Sequence, residues 1–554
     1  MTLHKRQRRL DVWVIVSICA LLMFIIFLVY PMFGIMRQSI IDPATGEYSS
    51  INFYRFFERR FFWISLVNSL RVTSWVTIVS AVLGTMLAFI LSTVRIRGRA
   101  VLDMMIVLSM ISPPFIGAYS WILLLGRNGV ITNFLNDVMG INFPSIYGFT
   151  GILLVVSLSM TPIVYLYVKG ALKNMDTSLY EASEGFGCAG FLRFFKIVIP
   201  LIAPTIIASA LLVFMNALAD FGTPMLIGEG FRTMPVLIFN QFMAEIGANR
   251  NFAAAMSLIL MAVTLLVFLV QQWITVKTSY TMNAYHPLTP VKVKGIKNII
   301  AYLFCYLTIG IMVLPQLVII YTAFRNTSPT GVLFRPGYSL DSFRRVFTRM
   351  GDAIFNTITY ASLAVFIIVI MGLLISYVVV RRPGKLNTAL DALSMAPFVI
   401  PGSVLGIAIA ISFRSPVRLT GTAAAIVLVF VIRRLPFMIR SISAMLRSIS
   451  MSTEEAGISL GASHLKVFAK ITVPILTPGI ISGSIMTWMQ TTSELSASIM
   501  LYVARTRTLT IAIYTEVIRG QHSNAAALSV VYMAISVICL LIFFRLTGSK
   551  DFKM

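Results

Sequence analysis

Acidic residues are scarce in this chain: 20 Asp and Glu stand against 45 Lys and Arg, a formal net charge of +25. Charged residues of either sign make up only 12% of the 554 residues, while 58% are hydrophobic. Soluble domains carry roughly 25% charged residues, so that class is excluded. Cysteine and histidine number four each. Cys19, Cys188, Cys305 and Cys539 form neither a disulfide framework nor a metal spacing, and His4, His286, His464 and His522 are scattered. A G-x-x-x-x-G-K-[ST] phosphate loop is missing, so ATP hydrolysis is not expected on this chain. No nucleophile–base constellation appears either, so the chain does not read as an enzyme, and no cofactor of its own is expected.

What is present is length in apolar runs. Segments of about 18–25 residues, enough to cross a bilayer core of roughly 30 Å, recur twelve times. They centre on 12–32, 72–94, 101–125, 146–168, 200–220 and 253–270, then on 299–321, 358–380, 390–411, 422–439, 474–493 and 525–544. Lipid offers no partner to open backbone groups, so the expected class is all-α and polytopic. The first run resembles a signal peptide, yet it is long and lacks an A-x-A site, so an uncleaved span is expected. Lys and Arg cluster at the N-terminus, after the second, sixth and eighth runs, and at the C-terminus. This places both termini in the cytoplasm. The positive charge reads as retention beside anionic lipid, and nucleic acid is not expected as a partner.

The chain is written twice. Asn68, Gly84, Asp103 and Pro113 match Asn356, Gly372, Asp391 and Pro401 at an offset of 288, and Pro162 matches Pro436 at 274. Six spans per copy gives both copies the same orientation, a parallel repeat. The expected units are 1–290, with a core of about 62–274, and 291–554, with a core of about 352–546. Between the fourth and fifth runs of each copy lies a polar hairpin with identical punctuation. Glu181-Ala182, Gly187, Phe194, Pro200 and Pro204 recur as Glu455-Ala456, Gly461, Phe468, Pro474 and Pro478.

The residue types explain the hairpin. Ser178-x-x-Glu181 and Ser452-x-x-Glu455 have the form of capping boxes that open a short helix. Gly187 and Gly461 suit a left-handed or crowded end to it. Phe194 and Phe468 belong on a second short amphipathic helix, and Pro200 and Pro474 in the first turn of the next span.

This pattern resembles the EAA loop of permeases in type I binding-protein-dependent ABC importers, with Ser183 and Gly457 departing from the third motif position. The resemblance covers nearly the whole chain and implies twelve transmembrane helices in the type I importer fold. It implies that Glu181, Ala182, Gly187, Glu455, Ala456 and Gly461 lie in coupling helices that dock on two separate ABC ATPase subunits. ATP and Mg would be held there, not here. A periplasmic or lipid-anchored solute-binding protein would deliver cargo, and the chain would sit in a bacterial inner membrane. Ala219-Asp220-Phe221-Gly222-Thr223-Pro224, Arg433-Arg434-Leu435-Pro436-Phe437 and Glu494-Leu495 are similar to signatures of the ferric-iron branch. The same branch includes importers of phosphorylated small molecules and phosphonates, and fused two-unit permeases also include those for thiamine.

Asp220 and Glu494, and likewise Asn216 and Gln490, are repeat-related and lie on the spans that follow the hairpins. Intramembrane acids face a cavity or a partner, so these four are candidates for a translocation path, with a helix-packing ion pair or an outer contact for the binding protein as the alternative. Helical spacing puts Asn216 one turn below Asp220 on the same face. Carboxylates are hard ligands suited to Fe(III), and they repel a phosphate unless screened. Arg433 and Arg434 interrupt an apolar run and are expected to hold an anion, pair with an acid or snorkel. A self-sufficient secondary transporter is the competing class, but it gives no account of two matched hairpins.

Overall fold

A computed structural model describes residues 12–110, 112–140, 146–176, 178, 187, 191–244, 249–278, 290–326, 335–415 and 418–547. The first sequence half forms α1 (Val12–Ser39), α2 (Arg60–Thr93), α3 (Arg99–Ser109), α4 (Pro114–Leu125) and α5 (Phe149–Lys173). It continues with α6 (Phe194–Leu218), α7 (Gly222–Ile227), α8 (Met234–Met243) and α9 (Arg250–Thr278). The second half forms α10 (Ile296–Ala323), α11 (Gly351–Arg381), α12 (Lys385–Val399), α13 (Gly402–Ser412) and α14 (Ala423–Ser448). After these come α15 (Met451–Ser459), α16 (His464–Thr492), α17 (Leu509–Ile518) and α18 (His522–Thr547). A two-residue strand, Arg325–Asn326, pairs antiparallel with Arg335–Tyr338.

Among the described residues nine helices are long and apolar enough to cross a membrane, or ten if α12 and α13 count as one broken span. The difference from twelve expected runs has local causes. The run at 101–125 is split into α3 and α4, with Pro113 extended (φ −54°, ψ 143°) before α4. The run at 390–411 bends by 108° between α12 and α13, and its Pro401 takes nearly the same angles (φ −58°, ψ 145°). Proline lacks the N–H that would continue a helix, so the matched prolines break both copies at matched places. The run at 422–439 is one helix, α14, with Arg433 and Arg434 inside it.

Two compact units emerge, and they do not follow chain order. The first unit holds Ser39–Met350 and Ala512–Met533; the second holds the chain up to Gln38, Gly351–Ile511 and the chain from Ala534. Thus α1 packs with the second sequence half and α10 with the first. In the second unit Trp13 of α1 lies 4.3 Å from the Tyr377 ring and 5.1 Å from Phe468. In the first unit the Tyr306 hydroxyl of α10 donates to Arg97 O at 2.9 Å, and Ser120 Oγ donates to Pro315 O at 2.7 Å.

Each unit is built on the same helix crossing. In the first, α2 crosses α5 at Gly84, where an added Cβ would stand 2.6 Å from Val164 Cβ and 2.9 Å from Thr161 O. In the second, α11 crosses α14 at the repeat-related Gly372, where an added Cβ would meet Met438 Cγ at 2.5 Å. Small residues let membrane helices approach closely, so both glycines set the spacing. A second matched device clamps the segments that lead into α8 and α17. Asn68 Nδ2 donates to Arg232 O, and its partner in the repeat, Asn356, donates to Arg505 O and Arg507 O. The next residues repeat the theme: Ser69 Oγ accepts from Met234 N at 2.8 Å and Thr357 Oγ1 from Leu509 N at 2.6 Å.

Candidate functional site: hairpins and path residues

The second hairpin is described in full. Its helix, α15, is capped by Ser450, whose Oγ accepts from Ser452 N at 3.3 Å. The cap therefore falls two residues before the expected Ser452, which sits inside the helix. At the matched place in the first copy Asp176 Oδ1 accepts from Ser178 N at 2.9 Å, and Asp176 is the repeat partner of Ser450. A side-chain acceptor two residues ahead satisfies a free N–H as an Asx or Ser turn, and in the second copy this geometry stands in place of the capping box. Glu181 and Ala182 lie outside the described residues; Glu455 and Ala456 are exposed on α15.

Gly461 closes α15. Its N–H bonds to Ile458 O at 2.9 Å and Ala462 N to Gly457 O at 3.2 Å, the two bonds of a Schellman motif. Gly461 has φ +84° and Gly187 has φ +74°, with nothing within 4 Å of an added Cβ at either. The glycines are thus needed for the left-handed turn and not for space. Beyond the turn, Phe194–Val198 and Phe468–Thr472 are both π-helical, at matched positions, and run straight into α6 and α16. The expected second short helix is therefore the continuous start of each span. Pro200 and Pro474 follow the π turns; a ring that clashes with the carbonyl four residues back favours the wider turn.

Two residues passed over in the sequence tie the second hairpin down. Glu454, buried beside the exposed Glu455, accepts from Arg381 Nε at 3.0 Å and from the Tyr377 hydroxyl at 3.0 Å. Arg381 Nη2 also donates to Ile449 O, at the end of α14, at 2.9 Å. Arg381 is one of the basic residues that follow the eighth apolar run. The signal that could have found the pair was an acid in the first turn of the hairpin helix.

The path candidates fall into different settings. Asp220 lies past the end of α6, its N–H bonded to Ala217 O, so it shares no helix face with Asn216. Asn216 is exposed and its Nδ2 donates to Leu212 O of its own helix. Asp220 Oδ1 accepts from Gly222 N at 3.1 Å, capping α7, and its side chain lines a small cavity with Ser69, Thr73 and Thr233. Glu494 likewise lies past the end of α16 and is 4% exposed. Its Oε1 meets Arg433 Nη1 at 2.5 Å and Ala497 N at 3.0 Å, and its Oε2 meets Arg434 Nη2 at 2.8 Å. The arginines therefore pair inward and do not snorkel. Gly402 makes room for them: an added Cβ would stand 2.1 Å from Arg433 Nη1. Gln490 is half-buried on α16. Among the described residues no group of three or more His, Cys, Asp or Glu could hold a metal.

Residues 80–280 and 342–550 each match the family described as "Binding-protein-dependent transport system inner membrane component", and the chain belongs to it. It is a multi-pass permease of a binding-protein-dependent ABC importer. It is 29% identical over 548 residues to the ferric transport system permease protein FbpB of Actinobacillus pleuropneumoniae, covering 96% of this chain and 78% of that one. It is also 29% identical over 507 residues to the putative ferric transport system permease protein FbpB 1 of Haemophilus influenzae, covering 90% and 79%. The molybdenum transport system permease protein ModB of Escherichia coli is 26% identical over 216 residues, 38% of this chain and 93% of that one.

Proposed function

We propose that this chain is the membrane subunit of an ATP-driven Fe(III) importer, taking cargo from a binding protein outside and releasing it to the cytoplasm by alternating access. The observation that supports the cargo is likeness to two ferric transport permeases, each 29% identical, over 96% and 90% of the chain. The matched hairpins support two docking sites in one chain, hence two ABC ATPase subunits, with both termini and both hairpins on the cytoplasmic side. The broken pairs α3–α4 and α12–α13, together with α14, bring the spans to twelve, six per sequence repeat. The inward pairing of Arg433 and Arg434 supports α14 as a span, because an arginine paired within protein escapes most of the cost of facing lipid.

Glu494 has both oxygens engaged, so it does not act as a free Fe(III) ligand in this conformation. Asp220, Asn216 and Gln490 remain the candidates for contact with cargo. The test is reconstitution of the chain with its ATPase and binding protein in proteoliposomes. ATP-dependent accumulation of radiolabelled iron, unaffected by a protonophore, is the expected result. Uptake of molybdate, a phosphonate, a phosphorylated sugar or thiamine in place of iron would reassign the cargo. Gradient-driven uptake without ATPase subunits would instead establish a secondary transporter.

A further inference from the structure

The two hairpins share punctuation but differ in the residue types at matched positions. In the second, Arg381 from the end of α11, Ile449 from the end of α14 and Glu454 from the first turn of α15 meet in one network, joined by Tyr377. Both charged side chains are under a tenth exposed. A buried pair of this kind is held only if its remaining polar atoms are satisfied, and here the carboxylate takes a guanidinium on one oxygen and a hydroxyl on the other. Glu454 also sits at a helix start, where an acid is favoured by the dipole. The rings of Trp13 and Phe468 close over Tyr377, at 4.3 and 4.8 Å.

The matched positions of the first repeat lack these charges. The positions related to Tyr377, Arg381 and Glu454 are Phe89, Thr93 and Tyr180, which carry no charge. Phe89 retains the ring contact, 4.4 Å from Phe194, matching Tyr377 against Phe468 at 4.8 Å. Thr93 Oγ1 turns back to Phe89 O of its own helix at 2.8 Å. The aromatic seat is therefore common to both repeats, while charged residues at these matched positions belong to the second.

We propose that Arg381 and Glu454 are positioning residues that bind the second hairpin to α11 as one rigid lever, so that ATPase closure beneath this hairpin is transmitted to the helix bundle. This rests on the reading of the hairpins as ATPase docking elements. The test uses the full chain, assembled with its ATPase and binding protein, and compares wild type with Arg381→Met, Glu454→Gln, Arg381→Lys and Thr93→Val. In Arg381→Met and Glu454→Gln, cargo moved per ATP falls at least about tenfold while ATP turnover stays within about twofold, since one partner of a buried pair is left uncompensated. Arg381→Lys keeps one of the two donated bonds and recovers part of the loss, and Thr93→Val changes neither quantity. Hydrogen exchange of the amides in 451–459 accelerates at least about tenfold in Arg381→Met, because the local opening free energy drops.

Wild-type cargo per ATP in both Arg381→Met and Glu454→Gln, or unchanged exchange in 451–459, overturns the proposal. If Arg381→Met loses ATPase assembly, restoration by Arg381→Lys supports positioning; loss in both, with lowered yield in Tyr377→Phe as well, shows a role in folding alone and overturns it. Failure of the underlying reading has a separate signature. A cysteine at the exposed Leu460 that never cross-links to the ATPase in the wild-type background would remove the docking role, while the exchange result would still report on the lever.

Discussion

Replacing Gly461 separates conformation from crowding. Its φ of +84° is left-handed, and an added Cβ meets nothing within 4 Å. Alanine therefore costs backbone strain and no clash, about 1–2 kcal/mol for one non-glycine residue in that region. Such a bias shifts the population of the closed Schellman turn by a factor of roughly 5–30. Asparagine is larger than alanine but tolerates left-handed angles through its own short hydrogen bonds. The expected order of ATP-driven uptake is Gly, then Asn, then Ala, with Gly461→Asp below wild type while the protein still inserts. Uptake in proteoliposomes at equal protein density, with exchange of the 457–462 amides alongside, measures both ends of the argument. An order that follows side-chain volume, with Asn below Ala, would refute the conformational reasoning and place a partner surface against the glycine. Gly187, at φ +74° with the same open surroundings, is expected to give the same order.

Gly372→Leu at the α11–α14 crossing is expected to lower the thermal midpoint of the purified protein more than Gly310→Leu, since an added Cβ already meets Met438 Cγ at 2.5 Å at the first and nothing at the second. Equal midpoints would show that the crossing is not set by the glycine. Asp220→Asn keeps an oxygen to cap Gly222 N but removes the charge from the cavity, so uptake falls while yield is unchanged; reduced yield with uptake per molecule intact would assign Asp220 to structure alone. Glu494→Gln leaves two buried guanidinium groups facing a neutral amide, and losing a buried partner costs about 3–5 kcal/mol. In a double-mutant cycle with Arg433→Met, the combined loss in thermal midpoint is expected to be smaller than the sum, and additivity would mean that the contact carries no coupling.

The duplication and the hairpin spacing were legible because they are patterns of glycine and proline, the residues whose backbone preferences act locally. Gly187, Gly461, Pro113 and Pro401 each adopt the conformation their side chains require. The cap of the second hairpin helix was misplaced because Ser and Thr cluster at 450–453, and several of them could accept the same N–H; the structure uses Ser450. The helix-face argument for Asn216 and Asp220 failed because α6 stops at Leu218, two residues before the acid, with no proline or glycine there to announce the end. The exchange of α1 and α10 between units was hidden for a different reason. Both are uniformly apolar, and periodicity alone does not say which bundle an apolar helix covers. The pairing of Glu494 with Arg433 and Arg434 joins residues 61 and 60 apart, a distance at which sequence offers charge type and no geometry.

The most direct test of the central claim, that one chain carries two ATPase docking elements, is the native mass of the purified transporter. One copy of this 61.4 kDa chain with two ATPase subunits is the predicted composition. Two copies of the chain around one pair of ATPase subunits would contradict it.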